Sequence, residues 1–196
     1  AQQRKKKRTT EKTHKGKLKY SPSPMYKLLV LDLDGTLTNS KKEIPEHNLN
    51  TLLRAQEKGL RIVLASGRPT YGITPLAEQL QLERFGGYIL SFNGGQIIDC
   101  QTNKVIYETV LDPAHYDYLY EQGNTDDFKI ISYEDNYIVG EDIENEYIKY
   151  EAFLNKMPLK KVENFRKHFN CPLPKCLVVG EPTKLAELEK KMHEKL

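Results

Sequence analysis

Residues 27–37 read Lys-Leu-Leu-Val-Leu-Asp-Leu-Asp-Gly-Thr-Leu, and this stretch restricts the fold more than any other part of the chain. Leu28 to Leu31 form an apolar run without alternation. That pattern predicts a strand buried on both faces, as in a parallel sheet covered by helices. The run ends in two carboxylates, Asp32 and Asp34, with one Leu between them and Gly35 directly after. If the strand ran through both, their side chains would leave the same face. Gly35 favours a sharp turn, so the pair is expected where strand gives way to loop. In open α/β sheets ligands gather at that carboxyl edge.

Two like charges this close need a cation between them, or one must keep its proton. A hard divalent ion such as Mg²⁺ commonly takes one or two carboxylates plus a substrate phosphate. An ionised Asp beside it can act as nucleophile, and a protonated neighbour as general acid. For an isolated Asp-x-Asp the plainer reading is a solvated strand end. The apolar run before the pair and the Gly-Thr after it favour a site.

The chain then repeats the pattern. Pro45 suits the first turn of a helix with Leu49, Leu52 and Leu53 on one face, and Gly59 suits its close. Residues 60–65, Leu-Arg-Ile-Val-Leu-Ala, predict a second strand, and strand–helix–strand at this spacing predicts a right-handed crossover and a parallel pair. This strand ends in Ser66-Gly67-Arg68-Pro69, which brings a hydroxyl, a flexible Gly and a cation to the edge that carries the acids. The Ser66 hydroxyl and the Gly67 amide suit a phosphoryl oxygen at a helix start. Taken alone, the stretch is more simply a strand-to-helix turn with a Ser cap.

Residues 30–37, Val-Leu-Asp-Leu-Asp-Gly-Thr-Leu, followed by residues 64–69, Leu-Ala-Ser-Gly-Arg-Pro, resemble the haloacid dehalogenase superfamily and, more narrowly, its Cof-type (subfamily IIB) phosphatases. The resemblance implies an α/β fold: a Rossmann-like parallel sheet core with an inserted α+β cap domain. It implies that Asp32 attacks phosphorus to form an aspartyl-phosphate. Asp34 would protonate the leaving group, later activate water, and help bind Mg²⁺ through its backbone carbonyl. Ser66 with the amides of Gly67 and Leu33 would hold the transferring phosphoryl group, and Arg68 is a further candidate for substrate contact. The metal would rest on Asp32 and Asp34. Metal plus fixed donors is the arrangement that stabilises charge on the equatorial oxygens in phosphoryl transfer.

Residues 69–82 can form a helix, although Gly72 and Pro75 weaken its first turns. Residues 87–92 predict a third strand that ends in Asn93-Gly94-Gly95. Asn93 reads either as a substrate contact or, ahead of that, as an ordinary tight turn. From Gln96 the texture changes to a hairpin over residues 96–108, a helix from Pro113 capped by Asp112, a strand pair at 128–133 and 137–140, a helix at 144–156, a strand at 174–179 and an amphipathic helix from Pro182. These elements resemble the family's cap, which closes over the site and excludes water. The expected organisation is a basic, disordered tail at 1–24, the front of the core at 25–95, and an incomplete cap at 96–196. Family members also carry a later Lys and a Gly-Asp-x-x-x-Asp stretch, and neither can be placed here. The chain therefore reads as a fragment that ends inside the cap, with weak or no activity of its own.

Charge and cysteine content restrict the alternatives. Residues 1–24 hold nine Lys or Arg and one acid, Glu11, so the rest of the chain is acidic on balance despite a formal net charge of +3. The tail has the composition of a segment that cannot fold alone. It lacks the apolar region of a secretory signal and the length of a membrane span. Its lysines are the only feature that favours nucleic acid, and no recognised binding fold accompanies them. Cys100, Cys171 and Cys176 complete no zinc set, which fits reduced thiols in the cytoplasm. The expected partner is a small phosphate ester, for instance a sugar phosphate, and the sequence is silent on oligomeric state. The alternatives are a phosphomutase using the same aspartyl-phosphate, and a non-catalytic phosphate- or nucleic-acid-binding module.

Overall fold

The computed structural model describes residues 26–195; the basic tail read at 1–24 lies outside them. The chain forms two sheets. In the first, β1 (Leu28–Asp32), β2 (Arg61–Ala65) and β3 (Tyr88–Ser91) run parallel, with Asp32 in register with Ala65 and Ala65 with Leu90. Helix α1 (Glu46–Glu57) connects the first two strands; α2 (Thr70–Gln79) and the single turn α3 (Leu82–Phe85) connect the second and third. Helix α1 ends as its sequence predicts. Gly59, at φ 92°, donates to Gln56 O while Leu60 N reaches back to Ala55 O, a reverse-turn closure that needs a residue free of Cβ strain.

The apolar runs supply this unit's core. Ile62 and Leu64 of β2 are fully buried with Leu33, Ile73, Leu80 and Leu82. Strand β1 departs from its expected burial on both faces. It is an edge strand, first in the order β1-β2-β3-β4-β5, and its Leu28 and Val30 are 50% and 55% exposed. An unbroken apolar run records that a face can be covered, not that a neighbour is present among the described residues.

The hairpin at 96–108 also differs from expectation. Its strands β4 (Gln96–Asp99) and β5 (Lys104–Glu108) continue the first sheet antiparallel to β3, with Ser91 facing Gln96, and do not join the second sheet. Phe92, Asn93 and Gly94 all take positive φ, so the chain turns back on β3 at once and Ile98 enters the first core.

The second sheet has the order β8-β7-β6-β9, from β6 (Phe128–Glu134), β7 (Tyr137–Gly140), β8 (Leu159–Lys161) and β9 (Cys176–Gly180). Adjacent residues of β6 point to opposite faces. Ile130 therefore packs with Tyr116, Phe165 and Leu173, and Ile131 with Ile138, Ile148 and Met157. Helices α4 (Tyr116–Gly123), α5 (Glu146–Asn155), α6 (Phe165–His168) and α7 (Pro182–His193) complete this unit. Asp112 accepts from Ala114 N in the turn before α4, and Asn145 accepts from Tyr147 N and Ile148 N at the start of α5. Among the described residues, no helix is long and apolar enough to cross a membrane.

The two units touch along one seam. Gly72 of α2 lies so close to α5 that a Cβ there would meet Asn155 Oδ1 at 2.8 Å, and the rings of Phe92 and Tyr133 are 5.8 Å apart. The carboxyl ends of β1, β2 and β3 open beside this seam.

Candidate active site

Strand β1 stops at Asp32, so the acid pair straddles the change from strand to loop. Gly35, at φ 81°, turns the chain, and the loop folds back onto the Leu33 carbonyl, which accepts from Thr38 N at 2.9 Å and Thr38 Oγ1 at 2.8 Å. The Leu33 side chain is fully buried and fixes the peptide between the two acids. The register of β1 with β2 brings Asp32 opposite Ala65, one residue before Ser66. The acid-bearing and hydroxyl-bearing tips are neighbours.

Hydrogen bonds hold the β2 tip to the turn after β3. Ser66 O accepts from Asn93 N at 3.2 Å, and Arg68 O accepts from Phe92 N at 3.0 Å. Ser66 Oγ accepts from Arg68 N at 3.2 Å, which leaves its hydroxyl proton available for another acceptor. A side chain at Gly67 would collide with Asn93 Oδ1, so Asn93 is both a turn residue at φ 57° and a group packed on the Gly67 backbone. Phe92, at φ 52°, is a bulky residue in the left-handed region. Strain of this kind costs on the order of 1–3 kcal/mol and gathers where a constellation must be held.

The two acids have different surroundings. Arg68 grips Asp34 with a fork, Nε to Oδ2 at 2.9 Å and Nη2 to Oδ1 at 2.6 Å, and Lys42 Nζ donates to the same Oδ1 at 2.8 Å. The Arg68 bonds, with the help of Lys42 and against partial burial, hold the Asp34 carboxyl at about 2. Asp32 is exposed, and among the described residues nothing donates to its carboxylate. Of the expected site residues, the fold brings Asp32, Leu33, Asp34, Ser66, Gly67, Arg68 and Asn93 to one edge.

That donor set fits a hydrated Mg²⁺. The Asp32 carboxylate could offer one oxygen without a competing partner among the described residues, and Asp34 has only its backbone carbonyl to offer because both carboxylate oxygens are engaged. Among the described residues, no three His, Cys, Asp or Glu side chains converge as a metal group. A small hard ion that keeps several waters suits such a partial shell.

Two cations that the sequence reading did not single out belong to this edge. Lys42 sits in a polar loop where nothing distinguishes it from its neighbours. Lys175, just before β9, extends from the second unit and donates to Gly67 O at 3.0 Å. Isolated lysines carry no local signal, and only the fold assigns these two.

The likeness to known proteins follows the same residues. The family model for haloacid dehalogenase-like hydrolases matches residues 29–196. The Bacillus subtilis protein YxeH is 30% identical over 170 residues, covering 84% of this chain and 61% of that protein. Phosphatase YwpJ of the same organism is 34% identical over 93 residues, covering 47% of this chain and 32% of its own length. A solved haloacid dehalogenase-like hydrolase from Bacteroides thetaiotaomicron superposes with a TM-score of 0.80 at 50% identity, covering 85% of this chain and 63% of the other. A solved subclass IIB sugar phosphatase superposes at 0.61 with 26% identity, covering 83% and 62%. The chain thus spans less than two thirds of the length of these proteins. The match runs through both strand-end motifs, and the chain belongs to the haloacid dehalogenase-like hydrolases.

Proposed function

We propose that this chain carries the nucleophile and phosphoryl-binding elements of a Mg²⁺-dependent phosphatase that hydrolyses a small phosphorylated metabolite, such as a sugar phosphate, through an aspartyl-phosphate on Asp32. The observation that supports this reading most is the unpartnered Asp32 carboxylate at the end of β1, beside a Ser66 hydroxyl whose proton is free to donate.

In the first step an Asp32 carboxylate oxygen attacks phosphorus and the ester P–O bond breaks. The leaving alkoxide takes a proton from Asp34. The Ser66 hydroxyl and the amides of Leu33 and Gly67 hold the equatorial oxygens, where fixed donors are worth most. The Asp32 carboxylate and the Asp34 carbonyl would hold Mg²⁺, which would supply positive charge to offset that of the phosphoryl group. In the second step water attacks phosphorus, the bond to Asp32 breaks, and Asp34 takes the water proton.

The clamp on Asp34 engages both of its carboxylate oxygens in this conformation. A carboxyl held at about 2 is ionised at neutral pH, and the same bonds that keep it ionised make it a weak base. To give the proton in the first step or take it in the second, Asp34 must first be loosened from Arg68 and Lys42.

The test is chemical trapping. The purified chain, incubated with Mg²⁺ and [³²P]acetyl phosphate and then quenched in acid, should carry acid-stable, base-labile label. Borohydride reduction should convert Asp32, and no other residue, to homoserine. Label that survives in Asp32→Asn, or that maps to another residue, would overturn the reading.

A further inference from the structure

The cation at Lys175 is anchored more firmly than a surface lysine. Its own carbonyl accepts from the fully buried Ser132 hydroxyl of β6 at 2.8 Å, and its ammonium crosses the seam to Gly67 O, 108 residues away in sequence. The residue is half-buried, and the carbonyl is the partner its ammonium has among the described residues. An ammonium has three N–H donors, so two remain beyond the bond to Gly67.

Among the described residues no carboxylate forms an ion pair with it. Glu151 is the carboxylate close enough to act on it, and that group already accepts from the Tyr133 hydroxyl at 2.7 Å and from Asn155 Nδ2 at 2.8 Å. Asp34 is taken by Arg68 and Lys42. Burial accordingly pushes the Lys175 ammonium below its usual range, with Glu151 opposing only in part. A partly desolvated charge with no carboxylate in direct contact is costly, and a ligand anion is the natural remedy.

Lys175 reaches the site edge from a different direction than the phosphoryl cradle. It binds the carbonyl side of Gly67, whereas the cradle uses the amide side, and it comes from the opposite unit across the seam. We infer that Lys175 is a specificity-determining residue that pairs with a second anionic group, carboxylate or phosphate, on the leaving portion of the phosphate ester. The inference rests on the phosphatase reading above and narrows its substrate class to esters with a negatively charged leaving group.

Matched probes test it. With the purified chain in Mg²⁺, calorimetric titration should show 3-phosphoglycerate binding about 10- to 100-fold more tightly than glycerol 3-phosphate, the range expected for one added charge-assisted hydrogen bond. Fructose 1,6-bisphosphate against fructose 6-phosphate asks the same question with phosphate as the second anion; preference in one pair alone identifies which anion is read. Lys175→Gln should abolish the preference by weakening 3-phosphoglycerate and fructose 1,6-bisphosphate far more than glycerol 3-phosphate and fructose 6-phosphate, and Lys175→Arg should restore most of it. Absence of preference in the unaltered chain overturns the inference whatever the variants do. Equal weakening of all four ligands in Lys175→Gln also overturns it, because Lys175 would then be serving the transferring phosphoryl group. If none of the four binds and no label reaches Asp32, the phosphatase reading itself fails. Binding of glycerol 3-phosphate and fructose 6-phosphate as tightly as their partners with the second anion removes only the assignment to Lys175.

Discussion

Arg68 and Asp34 form a two-pronged ion pair across the tips of two adjacent strands, with N–O distances of 2.9 and 2.6 Å. Arg68 is 9% exposed, and its Nη1 is anchored on Gly72 O at 3.4 Å, so it cannot leave the pair without disturbing the start of α2. Planar fork geometry is specific to arginine; lysine supplies charge without it. The pair therefore sets both the protonation state of Asp34 and the spacing of the two strand tips.

Arg68→Lys should raise the Asp34 carboxyl from about 2 toward its ordinary value of 3.8, and Arg68→Ala should raise it further than the lysine variant does. Carboxyl ¹³C titration by NMR reads this directly. The sign of the linkage follows from the depressed folded value. The pair stabilises the fold above the unfolded carboxylate range, and that contribution is lost as pH falls toward about 2. With the Asp34 side chain 41% exposed, solvent screening reduces the effect to on the order of 1 kcal/mol. Urea midpoints should fall between pH 4 and pH 2 in the parent by more than in Arg68→Ala. Equal slopes in the two proteins would show that the pair contributes nothing to acid stability.

Gly72 offers a test of the seam. A helical Gly→Ala change ordinarily stabilises by about 1 kcal/mol. Here the added methyl would meet Asn155 Oδ1 at 2.8 Å, and Asn155 cannot swing away, because its Nδ2 is held by both Glu151 O and Glu151 Oε1. Overpacking of this kind costs about 1–3 kcal/mol, so Gly72→Ala should destabilise by up to about 2 kcal/mol in spite of its propensity gain. Among the described residues the buried Asn155 Oδ1 atom has no hydrogen-bond partner, so Asn155→Ala removes the obstacle and an unsatisfied oxygen together. In the double variant the penalty at Gly72 should largely disappear. Additive effects in chemical denaturation would mean that the two residues do not meet.

Much of this arrangement was readable from local chemistry. The apolar runs of β1, β2 and β3 and the closing Gly59 specify the strand–helix–strand frame, and Asp32, Asp34 and Ser66 lie at strand ends because turn residues follow them. What the chain hides are relations between distant segments. The half-exposed state of Val30 depends on which strand lies beside β1. The membership of residues 96–108 depends on three successive left-handed residues, of which only Gly94 announces itself. Strand β8 and helix α6 span three and four residues, too short for a period to register. Lys42 and Lys175 gain meaning from Asp34 and Gly67, and neither neighbourhood in the sequence mentions the other.

The two edges of the five-stranded sheet should behave differently. Strand β5 exposes Val105, Ile106 and Tyr107, yet its pairing with β4 slips between Ile97 and Ile98 and leaves Ile106 out of register. A bulge twists an edge and discourages a second chain from pairing there. Strand β1 pairs with β2 without a break from Leu28 to Asp32, and its outer face presents Leu28 and Val30. A regular, apolar edge with no partner strand among the described residues is the kind that recruits other strands. Replacing Leu28 and Val30 together with threonine should therefore suppress concentration-dependent light scattering, and the melting temperature should move little, since exposed positions usually change stability by about 0.5 kcal/mol or less. The same double change at Val105 and Tyr107 should leave scattering nearly as it was. If the β5 variant is the one that stays clear, the bulge offers no protection and β1 is not the adhesive edge; if the β1 variant melts many degrees lower, its outer face is covered after all.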